Sequence, residues 1–288
     1  MSATPPFKPE SPPPTTFVDR FIRRFNFVSY FAATLLMYAI ASTALGIAAA
    51  PALWFLSYTI GWAATLPNWL AWPMFGTLIA LAFFIAGFSL LIVVPVYNFV
   101  MPTGVKQYKG HYYTIAALPW FLHNALFYIV RFTFLPFVTL TPFGIWFLKA
   151  MGMKMGKRAY INTEYISDPQ LITLGDDVVI GGSATIFAHY GGGGHLTIEP
   201  VEIRDKATIG LRATVMGDVI VGAGATILAH SVLLPGSRVG DGETWGGVPA
   251  RPISREEMDR FKALIRREGN PAEVGLSSGA ADRDLSGA

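Results

Sequence analysis

Three of the five histidines, His189, His195 and His230, fall in the C-terminal half of this 288-residue chain. A neutral imidazole near pH 7 is the ordinary general base for activating a hydroxyl or an amine. Two of the three bracket a run of glycines, His189-Tyr190-Gly191-Gly192-Gly193-Gly194-His195. Such a run either cradles a phosphate with bare backbone N–H groups or is a loop tip. Glu164, Asp168, Asp176 and Asp177 are the first acids after Asp19. One of them could orient a histidine; the rest read as solvated corners. His111 and His123 lie in apolar surroundings and read as interfacial or packing residues. The chain has no cysteine, so thiolate and disulfide chemistry are excluded.

What must position these groups is a repeat. Aliphatic residues recur every six positions at Ile203, Ile209, Val215, Val221, Ile227, Leu233 and Val239. Small residues follow four positions later at Ala207, Ala213, Ala225, Ser231 and Ser237. Gly often comes directly after the aliphatic residue, as at Gly210, Gly222 and Gly240. Leu174, Ile180 and Ile186 share the phase. Helical spacing of three and four fails here, as does the longer turn spacing of a β-sandwich. The period predicts a left-handed parallel β-helix over residues 156–252, with the repeat clear from Ile172 to Val239. Each aliphatic residue fills the interior, each small residue fits near a corner, and Gly or Asp after the aliphatic permits the bend.

The phase breaks once. Ile186 and Ile203 stand seventeen residues apart, so about eleven residues are inserted, or five with an extra repeat. His189 falls three residues after Ile186, at the corner where the insertion leaves, which makes it the first candidate base. His195 lies within the insertion as an alternative base or acceptor ligand. His230 falls three residues after Ile227, at the same place in the repeat but on another edge. Ser254-Arg255-Glu256-Glu257 reads as a capping box that starts a helix over 253–269. Residues 270–288 read as a disordered tail.

The N-terminal half has another character. Phe25 to Val105 contains no Asp, Glu, Lys or Arg. After a Pro-rich tail over 1–17, residues 18–110 read as a two-span transmembrane hairpin. Its spans run from about Val28 to Ala50 and Met74 to Val100. Trp62, Trp69, Trp72, Pro67 and Pro73 mark an interfacial connection. Arg20, Arg23, Arg24, Lys106 and Lys109 flank the spans, which puts both ends in the cytoplasm and suits anionic lipid rather than nucleic acid. Residues 111–155 are cut by Pro119, Pro136 and Pro142 and read as interfacial helices; a third or fourth span requires the breaks to be kinks.

The repeat together with Trp245-Gly246-Gly247-Val248-Pro249-Ala250-Arg251 resembles the bacterial hexapeptide-repeat acyltransferases, in which a G-x-P-A-[RK] sequence closes the coil. Apolar helices leading into the coil also resemble the C-terminal region of poly-lysine-synthetase-type peptide synthetases, over about residues 110–252. The resemblance implies a homotrimer with acyl-coenzyme A, acetyl-coenzyme A above all, in a groove between coils. It also implies a histidine base and backbone amides around the oxyanion. It assigns Trp245, Gly246, Gly247, Pro249, Ala250 and Arg251 to the coenzyme end, and no metal is expected; the glycine run, Gly192 and Gly193 within it, is either a cradle for a phosphate or pantetheine or a loop tip. The implied place is the bacterial inner membrane, with the coil on the cytoplasmic side and a lipid-linked or membrane-near acceptor. Two other readings stay open. One is a metal enzyme like the γ-carbonic anhydrases, whose histidine spacing runs long then short, the reverse of the order here. The other is a non-catalytic trimeric membrane scaffold.

Overall fold

A computed structural model describes residues 17–101 and 103–268; the two terminal segments read as disordered tails lie outside it, apart from Phe17. The chain runs from long apolar helices into a parallel β-solenoid of about five turns and ends in a short helix.

Helices α1 (Phe17–Arg24), α2 (Asn26–Ala63) and α3 (Asn68–Val100) come first. The turn between α2 and α3 is confined to residues 64–67, so the helices continue through the tryptophan-rich stretch. Pro51, Pro73 and Pro95 lie inside them without breaking them. Trp62, Trp69 and Trp72 are exposed near that turn.

A short 3-10 turn then leads into α4 (Leu118–Thr133), followed by α5 (Leu135–Val138) and α6 (Pro142–Ala150). Here the structure departs from the expected short pieces. Pro119 occupies the first turn of α4, where a missing N–H costs nothing, and the helix continues to Thr133. Three helical stretches are therefore long and apolar enough to cross a membrane: Asn26–Ala63, Asn68–Val100 and Ile115–Thr133, with mean hydropathy 1.8, 2.7 and 1.3.

The solenoid has three faces of stacked parallel strands. Its first turn starts at Lys154–Met155, ahead of the recognisable repeat. Met155 pairs with Leu174 and Ile166 with Ile186, offsets longer than the eighteen residues between Thr208 and Thr226. That slippage hides the first turn from a six-residue count. Ile180, Ile186, Ile203, Ile209, Val215, Val221, Ile227 and Leu233 are all 0% exposed and form the interior ladder. Each such side chain contributes roughly 1.5–3 kcal/mol by leaving water.

The bend is made differently from the expectation. At the regular corners the left-handed residue comes three after the aliphatic one, as at Asp177, Ser183, Lys206, Arg212, Asp218 and His230. The glycine directly after the aliphatic serves close stacking instead. A Cβ at Gly210 would stand 2.5 Å from the amide nitrogen of Ala229 in the next turn.

Ile172 pairs with Val201 and Thr185 with Thr214, so the insertion is eleven residues with no extra repeat. It is a β-hairpin of strands His189–Gly192 and His195–Ile198. Gly193 and Gly194 make its turn with φ of 58° and 85°, the signature of a tight two-residue hairpin loop. Tyr108–His111 adds a third antiparallel strand along His195–Ile198, tying the hairpin to the segment between α3 and α4. At the far end α7 (Arg255–Glu268) begins with the capping box: Ser254 Oγ accepts from Glu257 N at 3.1 Å and Glu257 Oε2 from Ser254 N at 3.0 Å.

Candidate active site

His189 occupies the repeat position that at His230 adopts the left-handed corner. At His189 the backbone extends instead, and the chain leaves the coil as the hairpin. On the same face one turn below, Ser167 pairs with Phe187, so Asp168 emerges beneath the start of the hairpin. His189 Nδ1 lies 2.5 Å from Asp168 Oδ2. The Asp168 side chain is fully buried and that of His189 is 17% exposed.

Helix α4 completes the pair's surroundings. Trp120 Nε1 donates to Asp168 Oδ1 at 2.8 Å, and Asn124 Nδ2 donates to the same oxygen at 3.2 Å. Ser167 Oγ donates to Asn124 Oδ1 at 2.7 Å, which fixes the amide so that its nitrogen faces the carboxylate. A buried carboxylate survives only with such donors. Trp120 meets the imidazole edge-on at 5.0 Å between centroids. Phe187 stacks on it at 5.4 Å with an interplanar angle of 8°. An ionised carboxylate only accepts, so the Nδ1 proton is held by Asp168 and Nε2 carries the lone pair.

The remaining candidates are dispersed. His195 sits beside His111 with ring centroids 5.6 Å apart, and its Nδ1 is 3.1 Å from the carbonyl of Gly193. Gly192 and Gly193 form the open tip of the hairpin, with no atom within 4 Å of a Cβ placed on either. A Cβ at Gly191 would meet Tyr112 Oη, so the tyrosine would have to shift to admit one. Tyr190 Oη donates to Glu199 at 3.2 Å; burial, then the Glu199 charge, push this phenol up. His230 is an exposed corner on another edge, with φ of 58°. His123 is fully buried, stacked on Phe127, with Nδ1 2.8 Å from Asn98 Oδ1. That placement agrees with a packing role.

The closing sequence lies in the fifth turn. Trp245 takes the aliphatic position above Ile227, and its Nε1 donates to Glu243 at 2.8 Å. That bond, joined by the Gly240 N–H, holds the Glu243 carboxyl below the usual range. Gly246 pairs with Arg251 as the chain reverses, Gly247 N donates to Ser231 Oγ at 3.2 Å, and the Val248–Pro249 peptide is cis. Ala250 N donates to the carbonyl of Val232 at 2.9 Å. Arg251 is ion-paired with Glu257 at 3.1 Å. Three turns separate this cap from His189, about 14 Å along the axis at the usual strand spacing. Within one chain, then, the structure joins His189 to Asp168 and does not join either to the cap or to His230. Trp120, Asn124 and Ser167 belong to the site and were not singled out in the sequence. Their only sequence signal is polarity on one face of an apolar helix, at Trp120 and Asn124.

Among the described residues no group of three or more His, Cys, Asp and Glu side chains converges as a metal site. No family model matches the chain. Its solved structural neighbours are hexapeptide-repeat acetyltransferases. A Vibrio cholerae acetyltransferase with acetyl-coenzyme A is 26% identical with a TM-score of 0.33, over 36% of this chain and 60% of that one. A galactoside acetyltransferase with coenzyme A is 20% identical with a TM-score of 0.35, over 44% and 80%. Among curated proteins, a Delta-poly-L-ornithine synthetase of Acinetobacter baumannii is 28% identical over 107 residues, 37% of this chain. The expected likeness to peptide synthetases is met by that relative. A mitochondrial γ-carbonic anhydrase 2 of Arabidopsis thaliana is 32% identical over 116 residues, 39% of this chain. The chain spans 8% of the synthetase and 37% of the carbonic anhydrase.

Proposed function

We propose that the protein is a membrane-bound acyltransferase. It moves an acyl group, acetyl in the simplest case, from acyl-coenzyme A to a hydroxyl or amine of a lipid-linked or membrane-near acceptor. The observation that carries this reading is the buried Asp168–His189 pair at the root of the hairpin, completed by Trp120 and Asn124 of an apolar helix. The pair is built for general-base work, and its supporting helix sets it beside the apolar region where a lipid-linked acceptor stays.

His189 Nε2 takes the proton of the acceptor hydroxyl or amine as that atom attacks the thioester carbonyl. Collapse of the tetrahedral adduct breaks the C–S bond, and the proton returns from Nε2 to the departing thiolate. Asp168 stabilises the imidazolium in between. The coil closing at Trp245–Arg251 is the natural wall for the coenzyme. In a homotrimer that cap and His230 belong to edges a neighbouring coil can face. The natural setting is the bacterial inner membrane, with the coil on the cytoplasmic side where acyl-coenzyme A is available.

The test mixes the purified full-length protein with acetyl-coenzyme A and a bacterial membrane extract and follows free thiol. Release that requires His189 is expected. No release with any lipid or glycan extract, or release unchanged in His189→Ala, would sink the proposal. Stoichiometric zinc held by the histidines in the purified protein would favour the carbonic-anhydrase-like reading. Intact coenzyme binding with no turnover would favour a scaffold.

A further inference from the structure

Arg131, in the last turn of α4, is 5% exposed. Its guanidinium carbon lies 5.1–5.3 Å from four ring centroids: Tyr128 and Phe132 of its own helix, Tyr165 and Phe187 of the coil. Each of those rings makes a cation–π contact with it. Tyr128 also hydrogen-bonds the guanidinium, but one edge atom is left over. Nε is buried with no hydrogen-bond partner, and among the described residues no carboxylate stands within ion-pair distance. Glu164 acts on it only from farther away. A buried cation without an anion is costly, and an ionisable residue at the end of an apolar helix points to a ligand.

Two further observations say which ligand. Phe132, next to Arg131 in the chain, is 68% exposed, and Phe137 and Leu140, which follow α4 directly, are each 58% exposed, as lipid-facing side chains would be. The other observation concerns the base. Phe187, which bears the cation, is the ring stacked parallel on His189. A single aromatic ring therefore touches both the guanidinium and the imidazole.

We propose that Arg131 is the receptor for the phosphate of the acceptor lipid. Resting on the acyltransferase reading, this narrows the acceptor to a phosphate-bearing lipid whose reacting hydroxyl or amine lies close to that phosphate. A guanidinium edge offers paired donors that match phosphate oxygens, while the rings hold the cation in place for it. The lipid phosphate supplies the acceptor that Nε lacks, and the headgroup reaches past Phe187 toward Nε2 of His189.

The test measures binding, not turnover. Detergent-purified full-length protein is titrated with short-chain phosphatidylglycerol, with the matching diacylglycerol and with inorganic phosphate, and bound ligand is read by native mass spectrometry. Phosphatidylglycerol is expected to outcompete diacylglycerol on the unaltered protein. Arg131→Gln should weaken phosphatidylglycerol by about ten- to hundredfold, the loss of one charge-assisted contact. Arg131→Lys should recover part of it. Thiol release is followed on the same unaltered preparation: no release with phosphatidylglycerol still preferred fails the acyltransferase reading alone, and release with no preference for phosphatidylglycerol fails this one alone. Equal retention of diacylglycerol and phosphatidylglycerol by the unaltered protein, or equal phosphatidylglycerol binding by Arg131→Gln, overturns the proposal. Inorganic phosphate binding as tightly as phosphatidylglycerol overturns the lipid source. The comparison of lipids on the unaltered protein needs no variant, so a folding defect in Arg131→Gln leaves the proposal exposed to refutation.

Discussion

Asp168→Asn alters the site with little change of shape. The carboxylate holds three donors: His189 Nδ1 at 2.5 Å, Trp120 Nε1 at 2.8 Å and Asn124 Nδ2 at 3.2 Å. An amide has one oxygen and one NH2. Trp120 and Asn124 both point at Oδ1, so the amide oxygen stays there and the NH2 faces His189. Nδ1 must then accept, which moves the imidazole proton to Nε2 and removes the lone pair that takes the acceptor proton. General-base catalysis is worth about 10²–10⁴-fold. At about 1.36 kcal/mol per factor of ten, kcat should fall by roughly 3–5 kcal/mol in barrier, with KM for acyl-coenzyme A little changed. Stability should move far less. Lost charge-assisted bonds, about 1.5–3 kcal/mol each, are offset by no longer burying a charge. The assay is thiol release alongside a thermal melt of the same preparation. A variant that melts like the parent and keeps kcat within about threefold would refute the tautomer argument and Asp168's role with it.

Three other outcomes follow from the coil and its terminal helix. Ile209 is 0% exposed in the interior ladder, so Ile209→Ala should cost about 2–5 kcal/mol in a denaturant titration. His230 has φ of 58°, so His230→Val should lose about 1–2 kcal/mol while His230→Asn, which tolerates that conformation, melts like the parent. The Glu257 carboxyl is held below its ordinary range first by the Ser254 N–H and then by Arg251. Its contribution is therefore present above the unfolded carboxyl value and lost as pH falls through the lowered one. Protection factors over 254–260, referred to the intrinsic exchange rate at each pH, should fall on acidification, and Glu257→Gln should abolish that pH dependence.

The repeat made the coil legible because a six-residue period leaves no other regular structure to satisfy it. Ile186 and Ile203 revealed the insertion by arithmetic alone, and His189 could be placed at its root. What the period could not reach was the first turn. The Met155–Leu174 and Ile166–Ile186 offsets exceed one regular turn, so Asp168 stood outside the phase that would have stacked it under His189. Its role needed the register of two strands twenty-one residues from donor to acceptor, which is a property of pairing and not of spacing.

Composition likewise pointed to two apolar helices within residues 25–105, because no charge interrupts that stretch, and the structure has them at Asn26–Ala63 and Asn68–Val100. It did not settle their ends. The tryptophan-rich stretch continues as helix, and Pro119 begins a helix instead of breaking one, because proline's missing N–H matters only where a carbonyl awaits it. The aromatic cage around Arg131 is the clearest case of what only tertiary structure decides. Tyr128 and Phe132 are its neighbours along α4, but Tyr165 and Phe187 arrive from the coil. The sequence by itself determined a repeat, its single break and an uncharged half. Packing α4 against the coil decided which acid holds the base and where a lone cation meets it. Those contacts join residues with no periodic relation, so only three-dimensional packing could bring them together.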